Sequence, residues 1–209
     1  LSNHDVTRHA TRFAGPPGAA IQTRDAGDRP LGLRRARAAT LLMLALPGSA
    51  YLYQGEELGL PDVTDLPDGA RQDPAFFRVD GQGGFRDGCR VPIPWAVDGD
   101  SAGFGSNGSW LPQPDGWGER SVEAQDGDDT SMLALYRAAL RLRRQHLTSD
   151  LELDWLDSAP STLAFARGTG VRCVVNFGTQ PVPIDGEVLL SSLELENGLL
   201  PGNASAWLV

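Results

Sequence analysis

The chain has few cysteines and no long apolar run. Its 209 residues include only two cysteines, Cys89 and Cys173. Two thiols far apart in sequence make neither a disulfide framework nor the ligand spacing of a metal site. We therefore expect reduced thiols and a cytoplasmic location, with one long-range disulfide as the alternative. The longest apolar run, around Leu41 to Leu46, ends at Pro47 and falls far short of the ~18 residues of a membrane-spanning helix.

Positive charge is also scarce. The chain carries 18 Lys and Arg against 27 Asp and Glu, which gives a net charge of -9. An acidic surface repels phosphate groups, so neither nucleic acid nor an anionic membrane is an expected partner. The acidity fits a neutral substrate, although solubility alone accounts for it. No group of carboxylates has the spacing of metal ligands, and we expect neither a metal nor a cofactor.

Two helices and one buried strand are indicated in the first part of the chain. Leu31 to Leu46 is rich in alanine and leucine, which favours a helix that ends at Pro47-Gly48. Ser49 to Tyr53 is apolar on both faces, as is typical of a strand in a parallel sheet covered on both sides. Ser131 to His146 has apolar residues at helical spacing, with acids before it and arginines towards its end.

A long segment between these elements has no periodic pattern. Gln54 to Asp128 is dense in glycine, proline and aspartate, as loops are. It also carries many phenylalanine and tryptophan residues, which disordered segments lack. Long irregular segments of compact domains are commonly functional. We therefore expect an ordered, functional excursion.

The sequence after about Asp150 predicts a small β domain. Thr162 to Arg167 alternates, and Val171 to Phe177 is rich in β-branched residues. Further short apolar runs follow at Val188 to Leu190 and Ala206 to Val209, separated by turn signals. Short strands at close spacing predict an antiparallel sandwich. We place a domain boundary near Asp150, which gives domains of residues 1–149 and 150–209.

The first motif with chemical content is Asn3-His4-Asp5. A carboxylate can stabilise the cationic transition state of glycosidic cleavage, and a neighbouring histidine can donate a hydrogen bond to a hydroxyl group. The triplet is weak by itself, because Asp5 would also suit the cap of a turn.

Two later motifs add acids and a guanidinium group. Tyr53-Gln-Gly-Glu-Glu-Leu-Gly59 follows the predicted buried strand, and polar residues at such strand ends in barrels are functional. The alternative is that its acids, Glu56 and Glu57, are loop residues held by arginines. In Arg86-Asp-Gly-Cys-Arg-Val-Pro-Ile-Pro-Trp95, Arg86 can pair with a carboxylate or bind sugar hydroxyls. Trp95 could stack on a sugar, although we expect a core aromatic.

Taken in order, the three motifs resemble the α-glucosidase and oligo-1,6-glucosidase branch of the α-amylase family. The resemblance covers essentially the whole chain. Leu1 to Arg12 is similar to the family's last conserved region after barrel strand 7, Ser49 to Tyr53 to strand 8, and Ser131 to His146 to helix 8. It implies an α/β fold: the C-terminal portion of a (β/α)8 TIM barrel, from about the end of strand 7 to helix 8, followed by a small all-β antiparallel sandwich.

The resemblance also implies roles for three residues. Asp5 matches the family's third active-site carboxylate, which binds ring hydroxyls of the cleaved sugar and helps to distort it. His4 matches the histidine that binds the same sugar, and Arg86 matches an arginine that helps to close the pocket.

The family's nucleophilic aspartate and acid/base glutamate have no match here, and the resemblance implies that they lie upstream. A complete barrel needs roughly 250 residues, whereas the part before Asp150 supplies about two strand-like units. The chain also opens at Leu1 without a methionine. We therefore expect this chain to pack against a missing N-terminal part of the same protein chain, which would be its partner.

These features predict part of a retaining α-glucosidase that hydrolyses terminal α-glucosidic bonds in short malto- or isomalto-oligosaccharides by double displacement. The chain alone is expected to be inactive. A trehalose synthase or a sucrose-acting transglycosylase of the same family is the nearest alternative. A non-catalytic relative that binds carbohydrate or a transporter is another, and the presence of His4, Asp5 and Arg86 counts against a relative that has lost its active-site residues.

Overall fold

A computed structural model describes residues 1–16, 18, 26–80, 85–147, 152–167 and 170–209. The chain divides into two compact units. The first, called the irregular unit, comprises Leu1–Leu33 and Leu52–Ala134; the second, called the sheet unit, comprises Arg34–Tyr51 and Leu135–Val209. The predicted boundary near Asp150 lies outside the described residues, so the division into residues 1–149 and 150–209 stays a prediction.

The helices are two long ones and several single turns. The α-helices are α1 (His9–Arg12), α2 (Arg29–Ala45), α3 (Pro74–Arg78), α4 (Asp87–Arg90), α5 (Val122–Gln125) and α6 (Met132–His146), with 3₁₀ turns at Asp68–Ala70, Asp100–Gly103 and Trp117–Arg120. No helix within the described ranges is both long and apolar enough to cross a lipid bilayer.

Both long helices confirm the predictions, which rested on composition for α2 and on periodicity for α6. The hydroxyl of Ser131 accepts a hydrogen bond from the Ala134 amide at 3.0 Å, which satisfies one of the free N–H groups at the start of α6. The last turn of α6 is basic, and its positive charges interact favourably with the negative end of the helix dipole. In the sheet unit, Thr40 of α2 donates to the hydroxyl of Tyr136 of α6 at 3.1 Å, so the two helices pack there through buried side chains.

Residues 49–53 do not form the buried strand that the sequence predicts. No strand is assigned to them among the described residues, whose named strands all lie between Leu153 and Leu208. The side chain of Tyr51 is 82% exposed and that of Leu52 is 42% exposed. The prediction is wrong for this chain, because a strand needs hydrogen bonds from a neighbour and cover on its faces, and the described residues supply neither.

The sheet unit is built on a five-stranded antiparallel sheet of order β1-β2-β3-β7-β5. A two-stranded sheet pairs β4 with β6. The strands are β1 (Leu153–Leu156), β2 (Thr162–Arg167), β3 (Val171–Asn176), β4 (Val182–Pro183), β5 (Val188–Ser191), β6 (Leu199–Leu200) and β7 (Ala204–Leu208). The alternating and β-branched patterns at β2 and β3 therefore correctly predicted antiparallel strands.

The two faces of the large sheet bury different side chains. Phe165, Cys173 and Trp207 lie in one cross-strand row, and the Trp207 indole donates to the Leu41 carbonyl of α2 at 3.1 Å. Alternate residues of the strands, such as Ala206, face a second apolar cluster that includes residues of β4 and β6. Since successive side chains of a strand point to opposite faces, this alternation gives the sheet a buried layer on each side.

The irregular unit holds its loops around a compact apolar cluster. The members are Leu58, Leu60, Val63, Leu66, Val91, Ile93, Leu111, Trp117 and Leu133. The Trp117 indole donates to the carbonyl of Pro92 at 2.9 Å, which satisfies its polar N–H in the interior. The described part of the Gln54 to Asp128 segment is thus ordered by aliphatic and aromatic packing.

Candidate active site

The Asn3-His4-Asp5 motif forms a tight turn in the irregular unit. Asn3 and Val6 make an isolated antiparallel bridge, and the Asp5 amide donates to the Asn3 side chain at 2.8 Å. Just before the turn, the Ser2 amide donates to Oε1 of Glu56 at 2.6 Å. These contacts fix the backbone on both sides of His4, whose side chain remains 69% exposed.

The structure brings Asp5, His4 and Arg86 together. Oδ1 of Asp5 accepts hydrogen bonds from Nη1 of Arg86 at 3.0 Å and from Nη2 of Arg90 at 3.3 Å. Oδ2 of Asp5 lies 3.2 Å from Nε2 of His4. The Asp5 carboxylate is about half-exposed, so it is held by guanidinium groups and remains accessible to solvent.

Arg86 is fixed by a residue that the sequence did not single out, Asp73. Nε and Nη2 of Arg86 donate to the two carboxylate oxygens of Asp73 at 2.8 and 2.5 Å. The side chain of Asp73 is 0% exposed. These hydrogen bonds from Arg86 lower the pKa of Asp73 to about 2 and raise the pKa of Arg86 above its ordinary value. Both groups therefore stay charged across the physiological pH range.

The backbone amide of Asp73 is held by the Asp87 carboxylate. Helix α4, which begins at Asp87, also supplies Arg90 to the site. The buried Asp87 carboxylate accepts from the backbone amides of Gln72 and Asp73, both at 2.9 Å. Nε of Arg90 donates to the carbonyl of His4 at 2.8 Å. Gly88 lies between them, and a Cβ there would lie 2.7 Å from Oδ1 of Asp62. Helix α4 can therefore pack this closely only with glycine at that position.

Buried polar groups next to the site hold its backbone in place. Arg8 is 2% exposed and donates to the carbonyls of Gln54 and Cys89 at 2.8 and 2.9 Å. Its guanidinium also lies 5.1 Å from the centre of the Tyr53 ring. Arg8 thereby joins the loop after residue 53 to helix α4.

Two buried titratable groups lie in the same layer and have strongly shifted pKa values. Burial raises the pKa of Asp62 to about 7, partly offset by the nearby charge of Arg8. Burial lowers the pKa of His9 to about 3, so His9 is neutral at physiological pH. Oδ1 of Asp62 and Nε2 of His9 are among the buried polar atoms without a hydrogen-bond partner in the described ranges.

The acids of the second motif are structural in this chain. Glu56 is buried and accepts from the Ser2 amide, as described above, with His9 Nδ1 at 3.6 Å from the same oxygen. Glu57 accepts a hydrogen bond from the Gly55 amide at 2.8 Å. These contacts with backbone amides suit loop acids that hold their own turn and the turn of the first motif.

Trp95 differs from expectation, because it is not a core aromatic. Its side chain is 51% exposed. Its backbone amide donates to the Ala102 carbonyl at 2.7 Å, in a surface loop rather than in the apolar cluster. Trp117 instead occupies the buried position. The prediction of a buried Trp95 is therefore wrong, and its ring presents a flat apolar face to solvent.

The assembled groups suit the binding of neutral hydroxyl groups. The half-exposed Asp5 carboxylate can accept hydrogen bonds, and the exposed His4 ring can donate or accept one. Asp5 and Asp73 are each paired with a guanidinium group of Arg86 or Arg90. Across the ranges that the structure describes, no group of three or more histidine, cysteine, aspartate or glutamate side chains could hold a metal ion.

Comparison with known sequences gives a consistent set of relatives. Residues 1–150 match the family model described as alpha amylase, catalytic domain. The probable alpha-glucosidase of Rhizobium meliloti (strain 1021) is 34% identical over 186 residues, covering 86% of this chain and 31% of the relative. The trehalose synthase/amylase TreS of Mycobacterium tuberculosis is 35% identical over 163 residues, covering 70% and 24%. The chain therefore spans less than a third of either relative.

Solved structures agree with these matches. The alpha-glucosyl transfer enzyme XgtA matches with a TM-score of 0.72 at 31% identity, covering 100% of this chain and 39% of that chain. Trehalulose synthase MutB matches with a TM-score of 0.74 at 22% identity, covering 99% and 42%, a likeness that concerns the fold alone. Since the family match extends over residues 1–150, well over half of the chain, the protein belongs to the α-amylase family of glycoside hydrolases.

Proposed function

We propose that this chain is the C-terminal part of a retaining α-glucosidase that hydrolyses terminal α-glucosidic bonds in short oligosaccharides. The observation that carries the proposal is the half-exposed Asp5 carboxylate, held by Arg86 and Arg90 and lying beside His4. A fixed, ionised carboxylate next to a hydrogen-bonding imidazole suits a sugar whose hydroxyl contacts tighten as positive charge develops on its ring.

The proposed roles follow from this geometry. Asp5 binds ring hydroxyls of the sugar that is cleaved and stabilises the distorted ring. His4 donates a hydrogen bond to the same sugar, and Arg86 holds Asp5 while closing that end of the pocket. The proposal assigns the roles of nucleophile and proton donor to an aspartate and a glutamate outside this chain.

The proposal includes the arrangement and location of the whole protein. Residues 1–149 would complete a (β/α)8 barrel from the end of strand 7 to helix 8, and residues 150–209 would form the β-sandwich that follows it. The exposed Tyr51 and Leu52 support this arrangement, since a neighbouring barrel strand would cover apolar groups of that kind. Both cysteines are free and buried, in keeping with a cytoplasmic location.

The test is to sequence the DNA upstream of the Leu1 codon and to express the complete reading frame. We expect an in-frame extension of roughly 300 or more codons that encodes the remaining strand–helix units. The complete protein should release p-nitrophenol from p-nitrophenyl α-glucoside, and this chain alone should not. Asp5→Asn should lower kcat/KM by about 10²- to 10³-fold, as loss of a transition-state contact does.

Asp68→Asn is the matched control, because Asp68 is an exposed acid of the same unit that pairs with Arg71. It should leave kcat/KM unchanged. Turnover of the aryl glucoside by this chain alone, undiminished by Asp5→Asn, would refute the proposal. So would a start codon directly before Leu1 together with an absence of activity in the expressed protein.

Glucosyl transfer is a second candidate reaction. TreS is 35% identical to this chain over 163 residues, against 34% over 186 residues for the probable alpha-glucosidase, and XgtA is an alpha-glucosyl transfer enzyme. Incubation of the complete protein with maltose separates the two reactions. Glucose as the main product indicates hydrolysis, whereas trehalose or longer oligosaccharides indicate transfer.

A further inference from the structure

We propose that Asp73 is a positioning residue that holds Arg86 in contact with Asp5. This role rests on the proposed function of Asp5 and Arg86. No sequence motif connects the two residues, which lie 13 positions apart. The inference comes from how the hydrogen-bond donors of the Arg86 guanidinium are distributed.

Arg86 divides its donors between two carboxylates. The edge formed by Nε and Nη2 makes a two-point contact with Asp73, and the Arg86 backbone amide also donates to Asp73 at 3.4 Å. Only Nη1 reaches Asp5. Because the guanidinium is planar and rigid, fixing one edge on Asp73 determines the direction in which Nη1 points. The contact with Asp5 is therefore set by Asp73 rather than by Asp5 itself.

Asp73 is suited to this task because its own position is fixed independently. Its side chain accepts from the Ala75 amide at 2.9 Å and thereby caps helix α3. Its backbone amide donates to Asp87, which is 0% exposed. Asp5, by contrast, lies on an exposed turn with a side chain that is 49% accessible. The buried carboxylate provides the fixed reference for the arginine, and the exposed carboxylate receives it.

Arg90 does not replace this contact. It reaches the same Asp5 oxygen at a longer distance of 3.3 Å, and its Nε is committed to the His4 carbonyl. If Asp73 no longer fixed Arg86, Asp5 would keep one cationic partner but would lose the shorter hydrogen bond. The expected consequence is a displaced Asp5 carboxylate rather than an unfolded site.

The first experiment is a double-mutant cycle in the complete enzyme, with p-nitrophenyl α-glucoside as substrate. Asp73→Asn keeps the helix cap, since asparagine also caps helices, but it removes the charge and one acceptor. We expect it to lower kcat/KM by about 100-fold, as misplacement of a catalytic group by about 1 Å can do. In an Arg86→Met background the same change should have less than about a threefold effect. Equal losses in both backgrounds would mean that Asp73 acts only on stability, and the proposal would be wrong.

The second experiment uses this chain and needs no activity, so it separates this inference from the proposed function. Exchange of the Arg86 Nε–H with water, followed by NMR, should be on the order of tenfold faster in Asp73→Asn, because the hydrogen bond to Asp73 is weakened. The Ala75 amide should stay protected, and Asp68→Asn should leave Arg86 unchanged. Unchanged exchange at Arg86, or equal loss of protection at Ala75, would overturn the proposal. If exchange behaves as expected while the complete enzyme lacks glucosidase activity, the contact stands and the proposed function fails.

Discussion

The two units of this chain differ in how most of their backbone hydrogen bonds are made, although each has a buried arginine that serves two carbonyls. In the sheet unit that arginine is Arg167, which is 3% exposed and donates to the carbonyls of Ala45 and Leu147. In the sheet unit, backbone pairs with backbone: β2 and β3 alone pair through six register positions, from Thr162 with Asn176 to Arg167 with Val171. In the irregular unit, charged side chains bind backbone groups that have no strand partner. Arg8 binds two carbonyls, and the Asp87 carboxylate binds two amides.

This difference determines how each unit responds to substitution. A sheet distributes its hydrogen bonds over many residues, and a side chain can be replaced without breaking the ladder. A buried arginine or aspartate that serves two backbone groups leaves both unsatisfied when it is removed. The irregular unit should therefore depend on single polar residues, whereas the sheet unit should depend mainly on apolar packing except at Arg167 and Asn176, which are buried and serve backbone carbonyls.

The largest effect is expected for Arg8→Ala. The change leaves the carbonyls of Gln54 and Cys89 without this hydrogen-bond donor and removes the cation that lies over the Tyr53 ring. We expect a loss of about 2–6 kcal/mol in the free energy of unfolding, since each of the two unsatisfied carbonyls costs about 1–3 kcal/mol. Urea unfolding followed by amide hydrogen exchange in the irregular unit measures it.

Arg172→Ala is the matched control in the sheet unit. Nη2 of Arg172 also donates to a carbonyl, that of Asp185 at 2.7 Å, but at an exposed position. Water can replace an exposed donor, so we expect a loss below about 1 kcal/mol. If Arg8→Ala and Arg172→Ala destabilise the chain equally, the expected extra cost of removing a buried donor is refuted.

The second prediction concerns pH and the two buried groups of the irregular unit. The pKa of Asp62 is raised from 3.8 to about 7, and that of His9 is lowered from 6.5 to about 3. Between about pH 4 and 6.5 the folded chain has one proton on Asp62 and none on His9, whereas the unfolded chain has the reverse. The numbers of bound protons are then equal, so the two contributions to the pH dependence of stability cancel.

A single substitution of either residue should reveal the contribution of the other to the pH dependence of stability. Asp62→Asn leaves His9, whose lowered pKa makes the folded state lose stability as the pH falls below 6.5. His9→Asn leaves Asp62, whose raised pKa makes the folded state lose stability as the pH rises from about 4 to 7. Each slope has an upper limit of about 1.4 kcal/mol per pH unit. Urea unfolding at several pH values between 4 and 7 tests this, and two variants whose profiles run parallel to the unsubstituted chain would contradict it.

The same contrast explains which parts of the fold the sequence could predict. Helix α6 and strands β2 and β3 have patterns that repeat within a few residues, so periodicity located them correctly. The strand expected at residues 49–53 has the right composition, but a strand also requires a partner, and composition does not report whether one is present. The outcome there depended on groups distant in sequence.

The candidate site shows a similar limit. His4, Asp5 and Arg86 were found because each lies in a motif, and the structure brings them together. Asp73 has only a local signal: an aspartate before a proline marks the start of a helix. Nothing in that signal points to a second role of its carboxylate 13 residues away. Long-range contacts between side chains carry no periodic pattern, so sequence reasoning missed this one.

A third, smaller effect is expected in the sheet unit for Trp207→Phe. Trp207 is 1% exposed, and its indole donates to the Leu41 carbonyl. Phenylalanine keeps the cross-strand packing with Cys173 but removes the donor and leaves a small void. We expect a loss of about 1–2 kcal/mol, measured by the urea midpoint of the sheet unit. A loss as large as that of Arg8→Ala would contradict the expectation that Trp207 acts mainly through apolar packing.

The smallest effect is expected for Tyr51→Ser, at the segment where the predicted strand is absent. With a side chain that is 82% exposed, Tyr51 buries little apolar surface, so its replacement should change the free energy of unfolding by less than about 0.5 kcal/mol. Leu41→Ser is the contrasting variant, because Leu41 is 0% exposed in helix α2 of the same unit; it should cost several times more, since a buried apolar side chain is lost and a hydroxyl is buried. Urea unfolding of this chain measures both. A loss for Tyr51→Ser close to that of Leu41→Ser would mean that residues 49–53 are buried in solution, and the strand predicted from the sequence would then be restored.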